Sequence, residues 1–238
     1  MKGFLLSGIL LSLISGQALS EETRPWQATA ELGGTMTTGN TETSTLKAKL
    51  NMKHEIAQWK NAYFADVLYS EDGENKTASR WKVGAKGGYV IDETSNMFIL
   101  GEHEQDEFSD YDSVSSFAGG YSKRLLKSEQ SLLDLDVGPG YKYFDLMNGT
   151  SEKTGILHIG VSYENTLSET SKFTQVLVSD IAFKDDTSTL SRSETAITAN
   201  IMGELAMKLG LTIRHDNNAG IDKKSIDTET TVTLLYTF

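Results

Sequence analysis

The feature that most constrains this chain is an alternation of apolar and polar residues that recurs from Trp26 to the last residue. Successive side chains of a β-strand point to opposite faces, so a period of two predicts a strand with one apolar and one polar face. The final stretch, 228–238, shows the pattern clearly, with threonines at most of the positions between its apolar residues Val232, Leu234, Tyr236 and Phe238.

Twelve such segments follow one another, separated by polar turns, and two prolines in the whole chain suit long paired strands. Each segment with its turn takes roughly 18 residues, enough for the roughly 9–11 residues that cross a bilayer. A soluble β-sandwich repeats faster, at roughly 8–12 residues. We therefore predict an all-β fold, a transmembrane antiparallel up-and-down β-barrel of about 12 strands, closed by the C-terminal strand.

The N-terminus has the pattern of an export signal. Lys2 precedes an apolar stretch over 4–14, and Ala18-Leu19-Ser20 fits a small-x-small cleavage site. The sequence therefore predicts a cleaved signal peptide at 1–20 and an outer-membrane β-barrel domain at 21–238.

Composition excludes several other classes. The net charge of −11 and the lack of a basic block argue against nucleic acid as a partner. The absence of cysteine excludes disulfides and thiolate metal sites. After the N-terminus no apolar run reaches the roughly 18 residues of a membrane helix, whereas a barrel needs only alternate apolar residues.

A terminal aromatic on an alternating strand is typical of outer-membrane barrels, in which it serves as a signal to the assembly machinery. We expect Val232, Leu234, Tyr236 and Phe238 to form that signal and to face lipid. The expected partners are therefore outer-membrane lipid and the barrel assembly machinery. The alternative for this segment alone is an edge strand of a soluble sheet.

Aromatic residues near strand ends are placed where the interfacial girdles of a barrel lie. The residues of this group are Trp26, Trp59, Tyr69, Tyr89, Tyr111, Tyr143 and Tyr163.

Charged residues occupy the polar faces of several predicted strands, so we expect them in the lumen. The cations lie on early strands and could meet acids across the interior, leaving a charged eyelet or knitting the lumen shut. These predicted lumen charges are Lys47, Lys49, Arg80, Lys82, Lys86, Asp134, Asp136 and Glu229.

Residues for catalysis or metal binding are weakly represented. His215 lies beside Asp216, but adjacent strand residues point to opposite faces, so the acid is poorly placed to orient a general base. His54, His103 and His158 lie on separate strands without ligand spacing. We expect no enzyme activity, catalytic residue, metal site or cofactor.

Acidic loop clusters are the remaining candidate site. They could bind Ca²⁺ or Mg²⁺, although a solvated surface that keeps the loops soluble is the simpler interpretation. The three clusters are Glu71, Asp72 and Glu74, then Asp106, Glu107, Asp110 and Asp112, and finally Asp185 and Asp186.

Several blocks also resemble a known family across nearly the whole chain after the N-terminus. They read TTGNTETSTLKAKL, VLYSEDGE, FSDYDS, GPGYKYF, RSETAIT and KSIDTETTVTLLYTF, in that order. They are similar to the YdiY-type family of salt-induced outer-membrane proteins, domain-of-unknown-function family 481. The resemblance implies the outer membrane of a Gram-negative bacterium and transfers no catalytic residue.

These observations leave two main hypotheses for function. The barrel is a narrow pore or envelope-stress component, or it is a structural and interaction barrel without transport. An outer-membrane enzyme acting on lipid is a weaker third possibility. Single-channel conductance separates the first two.

Overall fold

The computed structural model describes residues 26–37, 43–184, 187–220 and 224–238. The predicted signal peptide and the acidic pair Asp185 and Asp186 lie outside these residues. Twelve strands are present in the described part: β1 Trp26–Thr37, β2 Thr43–Ile56, β3 Trp59–Asp72, β4 Asn75–Asp92, β5 Ser95–Asp106, β6 Tyr111–Lys127, β7 Ser131–Leu146, β8 Ser151–Ser168, β9 Ser171–Ala182, β10 Leu190–Met202, β11 Leu205–Asp216 and β12 Ile226–Thr237.

The strands form one closed barrel in which each pairs antiparallel with its sequence neighbours and β12 pairs with β1. The predicted fold, strand count and closure by the last strand are confirmed. No helix in the described residues is long and apolar enough to span a membrane.

Alternation explains which face each residue occupies. On β2, Leu46 and Leu50 are exposed on the outer surface, whereas Lys47 and Lys49 form ion pairs inside the barrel. The outer face is therefore apolar and the lumen polar over most of the wall, as the period of two requires.

The two ends of the barrel differ in their connections. At one end, which we call the terminal end, β1 begins, β12 finishes and two- or three-residue turns join even strands to odd ones. At the other, the loop end, the connections include the longer segments 183–189 and 217–225. Gly73, Gly149 and Gly203 adopt positive φ in tight turns, as does Ala57.

Aromatic side chains lie near both ends of the outer face. Trp26 stacks on His54 at 4.0 Å near the terminal end, and Tyr141 packs against Tyr143 at 4.9 Å nearer the loop end. Tyr111 departs from the predicted girdle. A register irregularity between Tyr111 and Ser113 turns it inward, where its hydroxyl lies 2.6 Å from that of Ser188.

The closing seam between β1 and β12 is the least paired junction of the barrel. Its register covers only Thr29–Leu32 against Leu234–Thr237, at the terminal end. Every other pair of neighbouring strands aligns over at least ten residue pairs. The aligned pairs end at Leu32, although the two backbones are still close at Gly33, where a Cβ would lie 2.5 Å from the Val232 carbonyl oxygen. Its neighbour Gly34 is close to β2 instead.

The β6–β7 junction shows the opposite extreme, with two backbones in close approach. A Cβ on Gly120 would lie 2.2 Å from the Val137 carbonyl oxygen, and one on Gly138 the same distance from the Gly119 carbonyl oxygen. Only glycine fits at these positions, because the neighbouring atoms are backbone and cannot rotate away.

Strands β9 and β10 follow the usual pattern only in part, because exposed Leu177, Ile181 and Ile197 share the outer face with polar residues. Their inward positions include Val176, Val178 and the buried Ala196. Their outward positions include polar residues, namely Gln175, Ser179, Ser191, Ser193 and Thr195. We call this group of five the β9–β10 polar patch.

Candidate functional site: an ion-paired lumen

The lumen brings together many of the charges predicted to face it. Lys47 lies 3.0 Å from Glu229 and 2.8 Å from Asp66. Arg80 donates to the same Glu229 at 2.6 Å, so this carboxylate is shared by cations from two strands.

The other predicted lumen charges have mixed partners. Lys86 meets Asp136 at 2.5 Å across β5 and β6. Asp134 instead pairs with Arg124 on the adjacent strand β6, at 2.7 Å. Lys82 lies 3.1 Å from Glu102 on the neighbouring β5.

Some pairs cross the lumen. Arg214 on β11 donates to Glu104 on β5 at 2.9 Å, and these strands are six apart whichever way the wall is followed. Lys49 on β2 reaches Glu194 on β10, four strands away, at 3.2 Å. Such contacts require the barrel to be narrow enough for facing side chains to meet in the middle.

Two cavities enter the barrel from opposite ends. The loop-end cavity, of about 200 Å³, is lined by Arg192, Arg214 and the Lys142–Asp180 pair, among others. The terminal-end cavity, of about 420 Å³, is lined by Lys208, Thr29 and Thr237, among others. No described residue lines both cavities.

Glu194 lies between the two cavities and links their walls. Its carboxylate lies 3.4 Å from Lys208 of the terminal-end cavity and 3.8 Å from Arg192 of the loop-end cavity. Lys208 also pairs with Glu31 on β1 at 3.1 Å. We call the group Glu31, Lys49, Arg192, Glu194 and Lys208 the central ion cluster.

A second buried group lies beside it on β7, β8 and β9. Asp180 accepts hydrogen bonds from Lys142 at 2.6 Å and lies 2.7 Å from Nδ1 of His158. Phe144 and Ile156, both 0% exposed, fill the lumen on the same side. This side of the barrel is packed like a protein core, whereas the facing side is held by charge pairs.

The candidates for catalysis, His215 and Asp216, both line the loop-end cavity. His215 is exposed, and the Asp216 carboxylate accepts a hydrogen bond from the Asn218 backbone N–H at 2.9 Å. Among the described residues no group of three or more His, Asp or Glu side chains is arranged to hold a metal ion.

The loop acids are partly engaged within the protein. Glu107 accepts from Lys76 at 2.6 Å and from Ser79 at 2.9 Å, and these bonds hold the pKa of its carboxyl below the ordinary value. Asp110 accepts from the Gly220 backbone N–H at 2.8 Å, which ties two connections together at the loop end.

A family model described as a protein of unknown function, DUF481, matches residues 30–238 of this chain. The chain belongs to the DUF481 family. No match is found among curated proteins.

Solved structures similar to this DUF481 chain are outer-membrane barrels. The NanC porin superposes with a TM-score of 0.54 at 6% identity, covering 87% of this chain and 98% of the porin. An outer-membrane channel from Pseudomonas putida F1 gives 0.53 at 8% identity, with 90% and 95% covered. The translocator domain of the autotransporter NalP from Neisseria meningitidis gives 0.51 at 12% identity, with 92% and 91% covered. At these identities the likeness shows a shared fold.

Sequence reasoning missed several members of this DUF481 lumen, namely Glu31, Glu102, Glu104, Lys142, Asp180, Glu194, Lys208 and Arg214. Their position on the polar side of alternating strands is a usable signal for Glu31, Lys142, Lys208 and Arg214. Glu194 and Asp180 lie on β10 and β9, where both faces mix polar and apolar residues, so the sequence does not reveal which face is inward.

Proposed function

We propose that this protein is an outer-membrane barrel that conducts small polar solutes through a narrow, ion-paired lumen. The central ion cluster carries the proposal, because it separates cavities that enter from both ends and is built from polar, hydratable groups. A plug of apolar side chains would exclude water, whereas paired charges can exchange partners with water and ions. The similarity to a porin and a channel agrees with this choice.

We infer an outer-membrane location from the apolar outer face, the aromatic residues near both ends and the fold. The loop end is then extracellular and the terminal end periplasmic, since bacterial barrels have short periplasmic turns and longer extracellular loops. Outer-membrane lipid is the expected partner of the outer face. The assembly machinery is the expected partner of Val232, Leu234, Tyr236 and Phe238.

Planar-bilayer recording tests the pore. Folded protein should give small, discrete current steps. The Glu194→Gln substitution leaves Lys49, Arg192 and Lys208 without their shared acid, so their mutual repulsion should widen the passage and favour anions. Conductance and anion preference should both rise.

A matched control is Glu107→Gln, which removes an exposed pair with Lys76 at 2.6 Å at the loop end, and neither residue lines either cavity. It should leave conductance nearly unchanged. Neutralising Lys47 and Lys49 together tests the charged eyelet by removing positive charge from the lumen, so the ion selectivity should shift towards cations. Persistent silence from correctly folded protein would refute the pore.

A structural barrel without transport is the second candidate, and the Arg214–Glu104 pair across the full width favours it. Wild-type silence together with silence of Glu194→Gln supports this role. That the protein has no enzyme activity stays a prediction, because it rests on adjacent strand residues such as His215 and Asp216 pointing to opposite faces. From the family resemblance we also propose that its abundance rises with external salt, which quantitative proteomics of salt-shifted cells can measure.

A further inference from the structure

The outer face of β9 and β10 differs from the faces beside it. On β11 the outward residues Leu209, Leu211 and Ile213 are exposed and apolar, and on β8 the outward residues include Ile159 and Val161. The β9–β10 polar patch lies between these apolar strands. Ser193 aligns with Ile213 on one side and Leu177 on the other.

Hydrogen bonds join the patch in two cross-strand groups. The Thr195 hydroxyl donates to Gln175 Oε1 at 2.6 Å, and Gln175 Nε2 donates to Ser193 Oγ at 3.0 Å. The hydroxyls of Ser179 and Ser191 lie 2.8 Å apart. Each hydroxyl has one donor and two acceptor sites, so these bonds leave spare capacity facing outward.

The mixed character of this outer face is the second observation. Leu177, Ile181 and Ile197 are exposed there beside the five polar residues, and Val176, Val178 and Ala196 lie inward. Acyl chains cannot hydrogen-bond to a hydroxyl or amide, so a face covered wholly by lipid is expected to lack such a group of polar residues. The outer side of β9 and β10 therefore suits a protein surface better than lipid.

The chemistry of the patch indicates the kind of partner. All five side chains are uncharged, and hydroxyl and amide groups both donate and accept. Such a surface is complementary to itself. In a dimer whose two-fold axis runs along the membrane normal, each copy presents the same strands to the other. Polar side chains of this kind join membrane-embedded segments through hydrogen bonds.

We propose that the β9–β10 polar patch is the interface through which two copies of this chain associate in the membrane. The proposal is independent of transport, because a silent barrel can dimerise as well as a conducting one. Leu177 within the patch and Leu209 and Leu211 beside it on β11 pack against their counterparts, and the hydroxyls of the patch exchange hydrogen bonds across the axis.

Cysteine cross-linking tests the interface cleanly, because the chain contains no cysteine. Ser193→Cys and Ser179→Cys, each as a single variant, are folded into lipid vesicles at low protein density and oxidised. A disulfide-linked dimer is expected from at least one of them. Val83→Cys is the control, since it is exposed on β4, across the barrel from β10, and should stay monomeric.

A second variant separates the interface from folding. Gln175→Leu combined with Thr195→Val makes the patch apolar at similar size and should raise the dimer dissociation constant roughly tenfold. Heat-modifiable migration should persist, showing that the barrel still forms. Photobleaching of labelled protein in vesicles counts the copies.

Three results overturn the proposal. The first is one copy per vesicle for the wild type, with no cross-link at either serine. The second is a dimer whose dissociation constant does not change in the apolar double variant. The third is native mass spectrometry that finds a monomer with a lipid headgroup bound, lost in the double variant, which assigns the patch to lipid.

Discussion

The closing seam and the β6–β8 wall show how differently one barrel can be held together. Strand β7 aligns with β8 over Ser131–Asp145, and close glycine contacts bring it against β6. β1 and β12 align over four residue pairs at the terminal end, and a close approach at Gly33 follows the last of them. The wall is therefore fixed by backbone pairing and packing, whereas the seam depends on four aligned residue pairs near the end of the chain.

Deleting Phe238 should have the largest effect on this difference. Its backbone N–H donates to the Ala28 carbonyl oxygen at 2.8 Å, and its ring packs on Tyr236 at 4.9 Å. The deletion removes contacts from a junction that has only four aligned residue pairs, so the folded fraction in the outer membrane should fall severalfold. Heat-modifiable migration of membrane fractions measures this. Met147→Ala, in an exposed loop, should have no comparable effect, and normal folding of the truncated chain would contradict the prediction.

Gly138→Ala tests the wall and should be the next largest change. The new Cβ would lie 2.2 Å from the Gly119 carbonyl oxygen and 2.7 Å from the Gly120 Cα, and neither atom can move alone. We expect a loss of about 3 kcal/mol in the free energy of unfolding, at the upper end for overpacking. Urea unfolding in lipid vesicles measures it. At Gly87 the nearest atoms are side chains no closer than 3.5 Å, so Gly87→Ala should be nearly neutral.

Gly33→Ala makes the same kind of clash at the seam. The Cβ would lie 2.5 Å from the Val232 carbonyl oxygen and 2.7 Å from Thr233 Cγ2. Because the aligned pairs of β1 and β12 end just before this point, we expect β1 to shift more easily there and the loss to be smaller, about 1 kcal/mol. The same unfolding assay makes the comparison direct. A loss equal to that of Gly138→Ala would mean that the seam is as rigid as the wall.

A pair of cysteines should report how close β1 and β12 lie at the seam, and it should perturb the barrel least of these changes. Thr29 and Thr237 are register partners, so Thr29→Cys with Thr237→Cys should form a disulfide readily on oxidation. Leu135 and Val161 are register partners in the wall, and Leu135→Cys with Val161→Cys should cross-link at a similar rate, measured by gel shift after timed quenching. A much slower reaction at the seam would show that its four aligned pairs do not hold β1 against β12.

The alternation of residues was enough to predict the barrel because the lipid-facing side of nearly every strand must be apolar. It identified Leu46 as outward and Lys47 as inward without knowledge of any partner. Pairing across the lumen was harder. The meeting of Lys49 with Glu194 depends on the stagger of the strands around the barrel, which no single strand encodes.

Local irregularity accounts for the remaining differences. Tyr111 was expected on the outer face, in the aromatic girdle, but the irregular register between Tyr111 and Ser113 turns it inward. A period of two in the sequence cannot reveal such an irregularity. The faces of β9 and β10 were ambiguous because polar residues such as Thr195 are outward and Val178 inward. Such a pattern misleads when lipid is assumed to cover every strand.

The Arg214–Glu104 pair has a mechanical consequence. A hollow barrel of twelve strands flattens to an oval cross-section when the surrounding bilayer presses unevenly on it. An ion pair across the full diameter resists that flattening in one direction. The contacts of Lys49 with Glu194 and of Arg80 with Glu229 cross shorter distances and resist it in other directions. A barrel with such ion pairs across its lumen keeps a round cross-section in bilayers of different thickness and tension.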